Sequence, residues 1–149
     1  MKIKTRYHEE IEVNKEDKIV FSSGIPGFPE EKEFIVLPLS DDSPFSILQS
    51  INNEDLGFVI AEPFSFYKDY EFDLEESVVT QLNIVEKTDI QIYSIVTLGE
   101  SLSTSTINLQ APVIINRKKN TGKQAILNTD TYHTKHPLVK KINEKSQEG

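Results

Sequence analysis

The chain contains no cysteine. A disulfide framework is therefore excluded, and so are thiolate metal sites. Long apolar runs are missing too, and every stretch falls far short of the ~20 residues that a membrane helix needs. The opening residues, Met1-Lys2-Ile3-Lys4-Thr5-Arg6, lack the apolar core of a secretory leader. The expected location is the cytoplasm, with no membrane partner. A phosphate-binding loop is absent as well: Gly122-Lys123 is followed by Gln124, where that motif needs Ser or Thr. No Ser-His-Asp or Cys-His arrangement can be argued from spacing, and abundant carboxylates are not a catalytic pair. His133 and His136 stand three apart, but Asp130 is their one nearby carboxylate, so they are read as surface or packing residues. The sequence thus points to a protein that is not an enzyme, with no cofactor and no small-molecule substrate.

What is present fits one domain. The 149 residues are 37% hydrophobic and 27% charged, enough for a single core under a solvated surface. The net charge of -8 is unevenly spread. Residues 1–110 carry 21 acidic and 8 basic side chains, whereas residues 111–149 carry 3 and 8. Between Phe28 and Glu76 there are 13 acidic residues against 2 basic. Such a chain repels nucleic-acid phosphates and steers toward basic protein partners.

Short apolar runs closed by turn residues recur along the chain: Ile19-Val20-Phe21, Phe34–Leu37, Phe45–Ile51, Gly57–Ala61, Ile90–Leu98, Val113-Ile114-Ile115 and Ala125-Ile126-Leu127. Their β-branched and aromatic residues and their lengths suit strands. The expected fold is all-β and mainly antiparallel, a small barrel-like single domain with one short helix. That helix is placed at Leu74–Leu82, from the spacing of Leu74, Val78 and Leu82, with Asp73 and Glu76 as a capping box. The domain is placed at residues 1–138. The polar stretch 139–149 is expected to be a flexible tail.

Three motifs stand out. Pro26-Gly27, within Ser23–Phe28, has the composition of a type II turn, with Ile25 and Phe28 as core anchors. Asn116–Lys123 reads as a basic hairpin loop in which Gly122 supplies a positive φ. It is weak evidence for RNA binding. The most informative stretch is Glu62–Asp73, where five aromatic residues interleave with Asp69, Glu71 and Asp73. Alternation puts Tyr70 and Phe72 on one side and the acids on the other. Phe64 and Phe72 are assigned to the core. Phe66, Tyr67 and Tyr70 fit either a core face or a partner-binding surface, because aromatics ringed by charge are what such a surface needs. The candidate partner-binding residues are Glu62, Phe66, Tyr67, Asp69, Tyr70 and Glu71.

Taken in order, several segments resemble the family of flagellar assembly factors called FliW. They are Lys2–Tyr7, Gly24–Phe28, Leu48-Gln49-Ser50, Phe58–Phe64, Tyr70-Glu71-Phe72, Asn108–Asn116, Gly122-Lys123-Gln124 and His136-Pro137-Leu138. The resemblance covers about residues 1–138. It departs at Glu62, where Asp is expected before Pro-Phe, and at Lys135, where Arg often precedes His-Pro-Leu; neither changes the sign of the charge. The resemblance implies a cytoplasmic regulatory protein that binds flagellin. When free of flagellin, it would bind and antagonise the translational repressor CsrA and so relieve repression of flagellin synthesis. It implies no catalytic activity. The rival readings are a small-molecule-binding or enzymatic β-barrel, and an RNA binder acting through Arg117–Lys123.

Overall fold

The computed structural model describes residues 1–139. The tail assignment for 139–149 therefore falls, from residue 140 onward, outside the described residues. In chain order the elements are β1 (Lys2–Lys4), β2 (Glu10–Glu12), β3 (Ile19–Val20), β4 (Glu33–Pro38), β5 (Phe45–Ser50), β6 (Gly57–Ala61), α1 (Glu76–Gln81), β7 (Ile90–Thr97), β8 (Thr106–Ile107), β9 (Val113–Asn116), β10 (Thr121–Gln124) and β11 (His136–Pro137). The expectation of a mostly stranded, mainly antiparallel domain with one short helix holds.

Seven strands close on themselves in the order β3-β4-β5-β6-β7-β9-β10 and back to β3. Each pairing in the ring is antiparallel except the last, where Thr121 of β10 meets Val20 of β3 in parallel. β8 and β11 extend the sheet outward from β7, and β1–β2 form a separate hairpin. Closure removes most of the exposed strand edges that an open sheet would present.

Both faces of this barrel are apolar, and each buries a different set of residues. Strand register places Val36, Leu48 and Phe58 across from one another, likewise Ile60 and Ile95, and Tyr93 and Val113. With Ile19, Phe21, Phe34 and Ile115 they form the inner core. The alternate positions look outward and are covered by three pieces. The β1–β2 hairpin packs Ile3 and Val13 on Ile35 and Leu37. The helix packs Val78 and Leu82 on Ile114. The aromatic stretch after β6, together with the C-terminal strand, packs Tyr70 and Leu138 on Ile47, Val59 and Val96. At about 25 cal/mol per Å² of apolar surface, these layers are the main source of stability.

Buried amides tie the pieces together. The Gln49 side chain, fully buried, accepts from Arg6 N–H at 2.9 Å and donates to Ser50 O and Asn53 O. Asn116 donates to Leu82 O at 2.8 Å and accepts from Lys118 N–H at 3.0 Å. It thereby fixes both the end of α1 and the β9–β10 turn.

Several expectations need correction. The helix is shorter than Leu74–Leu82, and Asp73 is not its cap: the N-cap position is Glu75, with no side-chain capping bond. Leu74 instead continues the extended alternation and packs beside the helix. The second strand of the C-terminal hairpin is Thr121–Gln124, not Ala125-Ile126-Leu127. Gly122 does not supply the positive φ of that hairpin; Asn120 does, at 52°. Gly122 is there because the Phe21 ring occupies the space a side chain would need. In the Pro26-Gly27 turn, Gly27 has φ 90°, as a type II turn requires, and Ile25 is buried as expected. Phe28, however, is 41% exposed and lies edge-on to Phe58 at 5.8 Å.

Candidate functional site

The segment leaving β6 sets the site. Pro63 opens a single 3-10 turn, Pro63–Ser65; a second turn at Lys68-Asp69 is closed by Tyr70 N–H donating to Tyr67 O at 3.0 Å, and from Tyr70 the chain runs without regular structure to α1. No strand forms here, yet the alternation survives: Asp69, Glu71, Asp73 and Glu75 are exposed, while Tyr70 is buried and Phe72 and Leu74 are half-buried. Side chains alternate in any extended chain, and only one side of this one faces the barrel.

Tyr70 is the anchor. Only 4% exposed, it donates its hydroxyl to Leu109 O at 2.8 Å. Burial raises its phenol pKa strongly, with Tyr132 adding to the effect. It is a core residue, so its candidacy as a surface contact does not survive in direct form. Its ring holds the neighbours instead: Tyr132 at 4.7 Å, Phe72 at 5.4 Å and Phe64 at 5.7 Å. Phe64 is the converse case, expected in the core but 43% exposed, because the 3-10 turn lifts it off the sheet. Phe66 is half-buried and stacked on Phe45 at 6.2 Å. Tyr67 is half-buried too; its hydroxyl donates to Pro137 O and its ring meets His136 edge-on at 5.6 Å.

The structure therefore brings five of the six candidates to an accessible surface. Glu62, Asp69 and Glu71 are exposed, and Phe66 and Tyr67 are partly so. Tyr132 was not visible from sequence. It follows the polar run Asn128–Thr131 with no apolar neighbour to flag it, yet it packs on Tyr70 and accepts from Glu71 N–H at 3.1 Å. His133 and His136 serve packing: their rings stack at 5.4 Å, and His133 N–H donates to His136 Nε2 at 2.8 Å. Among the described residues no group of three or more His, Asp or Glu could hold a metal ion.

Beside this segment lies a groove of about 840 Å³. One wall is Glu71–Glu75, the second is the turn at Pro26-Gly27, and the third is the chain from Lys123 to Asn128. Its base is apolar, with Phe72, Val78 and Ala125, and its rim is acidic. The basic turn at Arg117–Lys119 is exposed and is not part of this groove.

Comparison with known proteins gives a consistent result. The family model for the FliW protein matches residues 2–138. The chain is 48% identical over 138 residues to the flagellar assembly factor FliW of Bacillus pumilus, covering 93% of this chain and 96% of that one. It is 49% identical over 138 residues to the protein of the same name from Bacillus subtilis, with the same coverage. A crystal structure of the flagellar assembly factor FliW superposes with a TM-score of 0.88 at 47% identity, covering 94% of this chain and 98% of that one.

Proposed function

We propose a function for this chain from one premise: it belongs to the FliW family. In this reading it is a regulatory binding protein of flagellar assembly that acts in the cytoplasm and performs no catalysis. It binds flagellin, and when flagellin is exported the freed protein binds the translational repressor CsrA. CsrA then releases the flagellin messenger, and translation resumes. No helix among the described residues is long and apolar enough to cross a membrane, which is compatible with this location.

The observation that supports the reading best is the acidic, aromatic-backed surface at Glu62–Glu71. A repressor that grips RNA must present positive charge, so an acidic face attracts it at long range. Flagellin's terminal segments are helical and apolar on one side, and the half-buried rings of Phe66 and Tyr67 offer them a partly apolar ledge. Direct binding of nucleic acid is not part of this reading, given 24 acidic against 16 basic residues.

Titration calorimetry with purified flagellin and CsrA tests it. The expected result is a complex with each, and weaker CsrA binding when flagellin is in excess. Absence of heat and of complex with both proteins would refute the proposal.

A further inference from the structure

Beyond β10 the chain keeps pairing with the segment that leads into β9, although neither is a regular strand there. Ala125 N–H donates to Pro112 O at 2.9 Å, and Leu127 N–H donates to Gln110 O at 2.8 Å. These bonds continue the register set by Gln124 opposite Val113. In an extended chain successive backbone groups point to opposite sides. The N–H and C=O groups of Ile126 and Asn128 therefore point away from β9, toward the groove that both residues line. Neither N–H has a hydrogen-bond partner among the described residues. On that flank β3 reaches only Thr121 before the chain turns away at Ser22-Ser23. The closed barrel thus leaves one short edge open, and the groove lies along it.

The geometry points to strand addition: we propose that this groove takes an extended, basic peptide segment of another protein, which pairs with Gln124–Asn128. Backbone bonds to the outward groups of Ile126 and Asn128 would supply the ladder, as in other cases where a peptide extends a sheet edge. Five paired residues span roughly 17 Å at about 3.4 Å each. The side-chain preference follows from the facing wall. Glu71, Asp73 and Glu75 are all exposed there, against Lys123 as the single basic residue lining the groove among the described residues. An added strand alternates its side chains, so one set meets these carboxylates while the other lies on Phe72, Val78 and Ala125. Lysine or arginine alternating with aliphatic residues satisfies both. Ile126, at 66% exposure an unusually open aliphatic side chain, would be covered by such a strand. This site shares Glu71 with the surface proposed above but includes neither Glu62 nor Asp69, and it does not require either flagellar partner.

The test uses the full chain and a seven-residue peptide of alternating lysine and valine, acetylated and amidated. Amide exchange followed by NMR should slow at Ile126 and Asn128 by tenfold or more at saturating peptide. The same peptide N-methylated at every backbone amide should not bind, and neither should one with glutamate in place of lysine. Asp73→Lys with Glu75→Lys should weaken binding at least tenfold. Equal binding of the N-methylated peptide, or unchanged exchange at both amides, would overturn the proposal. A tenfold gain in affinity on deleting residues 140–149 would also overturn it, because the occupant would then be the chain's own end. Ile126→Pro removes one outward N–H and should weaken binding in a protein whose melting temperature is unchanged. If that variant is unfolded, the N-methylated peptide decides.

Discussion

The Phe21 ring closes over Gly122 so tightly that a β-carbon at 122 would lie 2.5 Å from its Cζ. Phe21 follows β3 and Gly122 belongs to β10, so this contact sits where the barrel closes. Gly122→Ala overfills that joint and is expected to cost about 1–3 kcal/mol. Phe21→Leu costs stability by itself, but the two changes together should cost less than their sum. Denaturant unfolding of the two single variants and the double variant measures this, and strict additivity would mean that the contact is not limiting.

Tyr70→Phe keeps the ring and deletes the hydroxyl that Leu109 O accepts. A buried carbonyl left without its donor costs about 1–3 kcal/mol. A fall in unfolding free energy of that size is expected, with the fold retained. A variant as stable as the parent would show that water replaces the bond.

Charge reversal at Asp69 and Glu71 should slow association with CsrA roughly tenfold at low salt, if these carboxylates steer a basic partner. The effect should fade as salt rises, because screening reaches about 10 Å at 0.1 M. Both side chains are exposed, so the thermal melt should not move. Stopped-flow binding at two salt concentrations checks this. An association rate that stays the same at low salt would dismiss the steering role.

His136 carries a pH dependence whose sign is fixed by its surroundings. Burial, and then the neighbouring His133, hold its pKa below the ordinary 6.5. The unfolded chain therefore binds the proton more readily than the folded one. Stability is complete above about pH 6.5 and declines as the pH falls from there through the lower folded value. Structurally, protonation removes the acceptor that His133 N–H uses. Tyr67 and Tyr132 are the other polar rings in contact with His136, at 5.6 and 6.2 Å. Melting temperatures between pH 7.5 and pH 5 should fall in the parent, and fall less in His136→Phe. Parallel curves would remove His136 as the cause.

Much of the fold was legible because strand-length apolar runs such as Phe45–Ile51 and Gly57–Ala61 form the ring itself. The alternation in Asp69–Glu75 was equally readable, since it depends only on extended backbone. The rest was hidden for identifiable reasons. Asp73 and Glu76 have capping-box spacing, but Phe72 and Leu74 gain more from packing on the outer face than from joining the helix. Gly122 looks like a turn glycine, because nothing in the local sequence says that Phe21, about a hundred positions earlier, fills the space above it. Tyr70, which in sequence fits either a core face or a surface, is buried, whereas Phe64, assigned to the core, is exposed: burial there depends on the 3-10 turn at Pro63, whose direction composition does not set. The open edge at Ile126 and Asn128 was invisible, since it exists only where β3 ends too early to cover it.

The ring is joined by a parallel pairing of Val20 with Thr121, about a hundred residues apart. A ribosome delivers these strands in order, so β3 leaves the exit tunnel long before the partner that completes it. Until β10 emerges, β3 and β9 each lack a neighbour, and the inner core lies open along that seam. Completion is thus a late, nonlocal event, governed by loop-closure entropy rather than by any local hairpin. A chain stalled or truncated before Thr121 would carry two exposed strand edges and an uncovered Phe21, the features that recruit chaperones and seed aggregation.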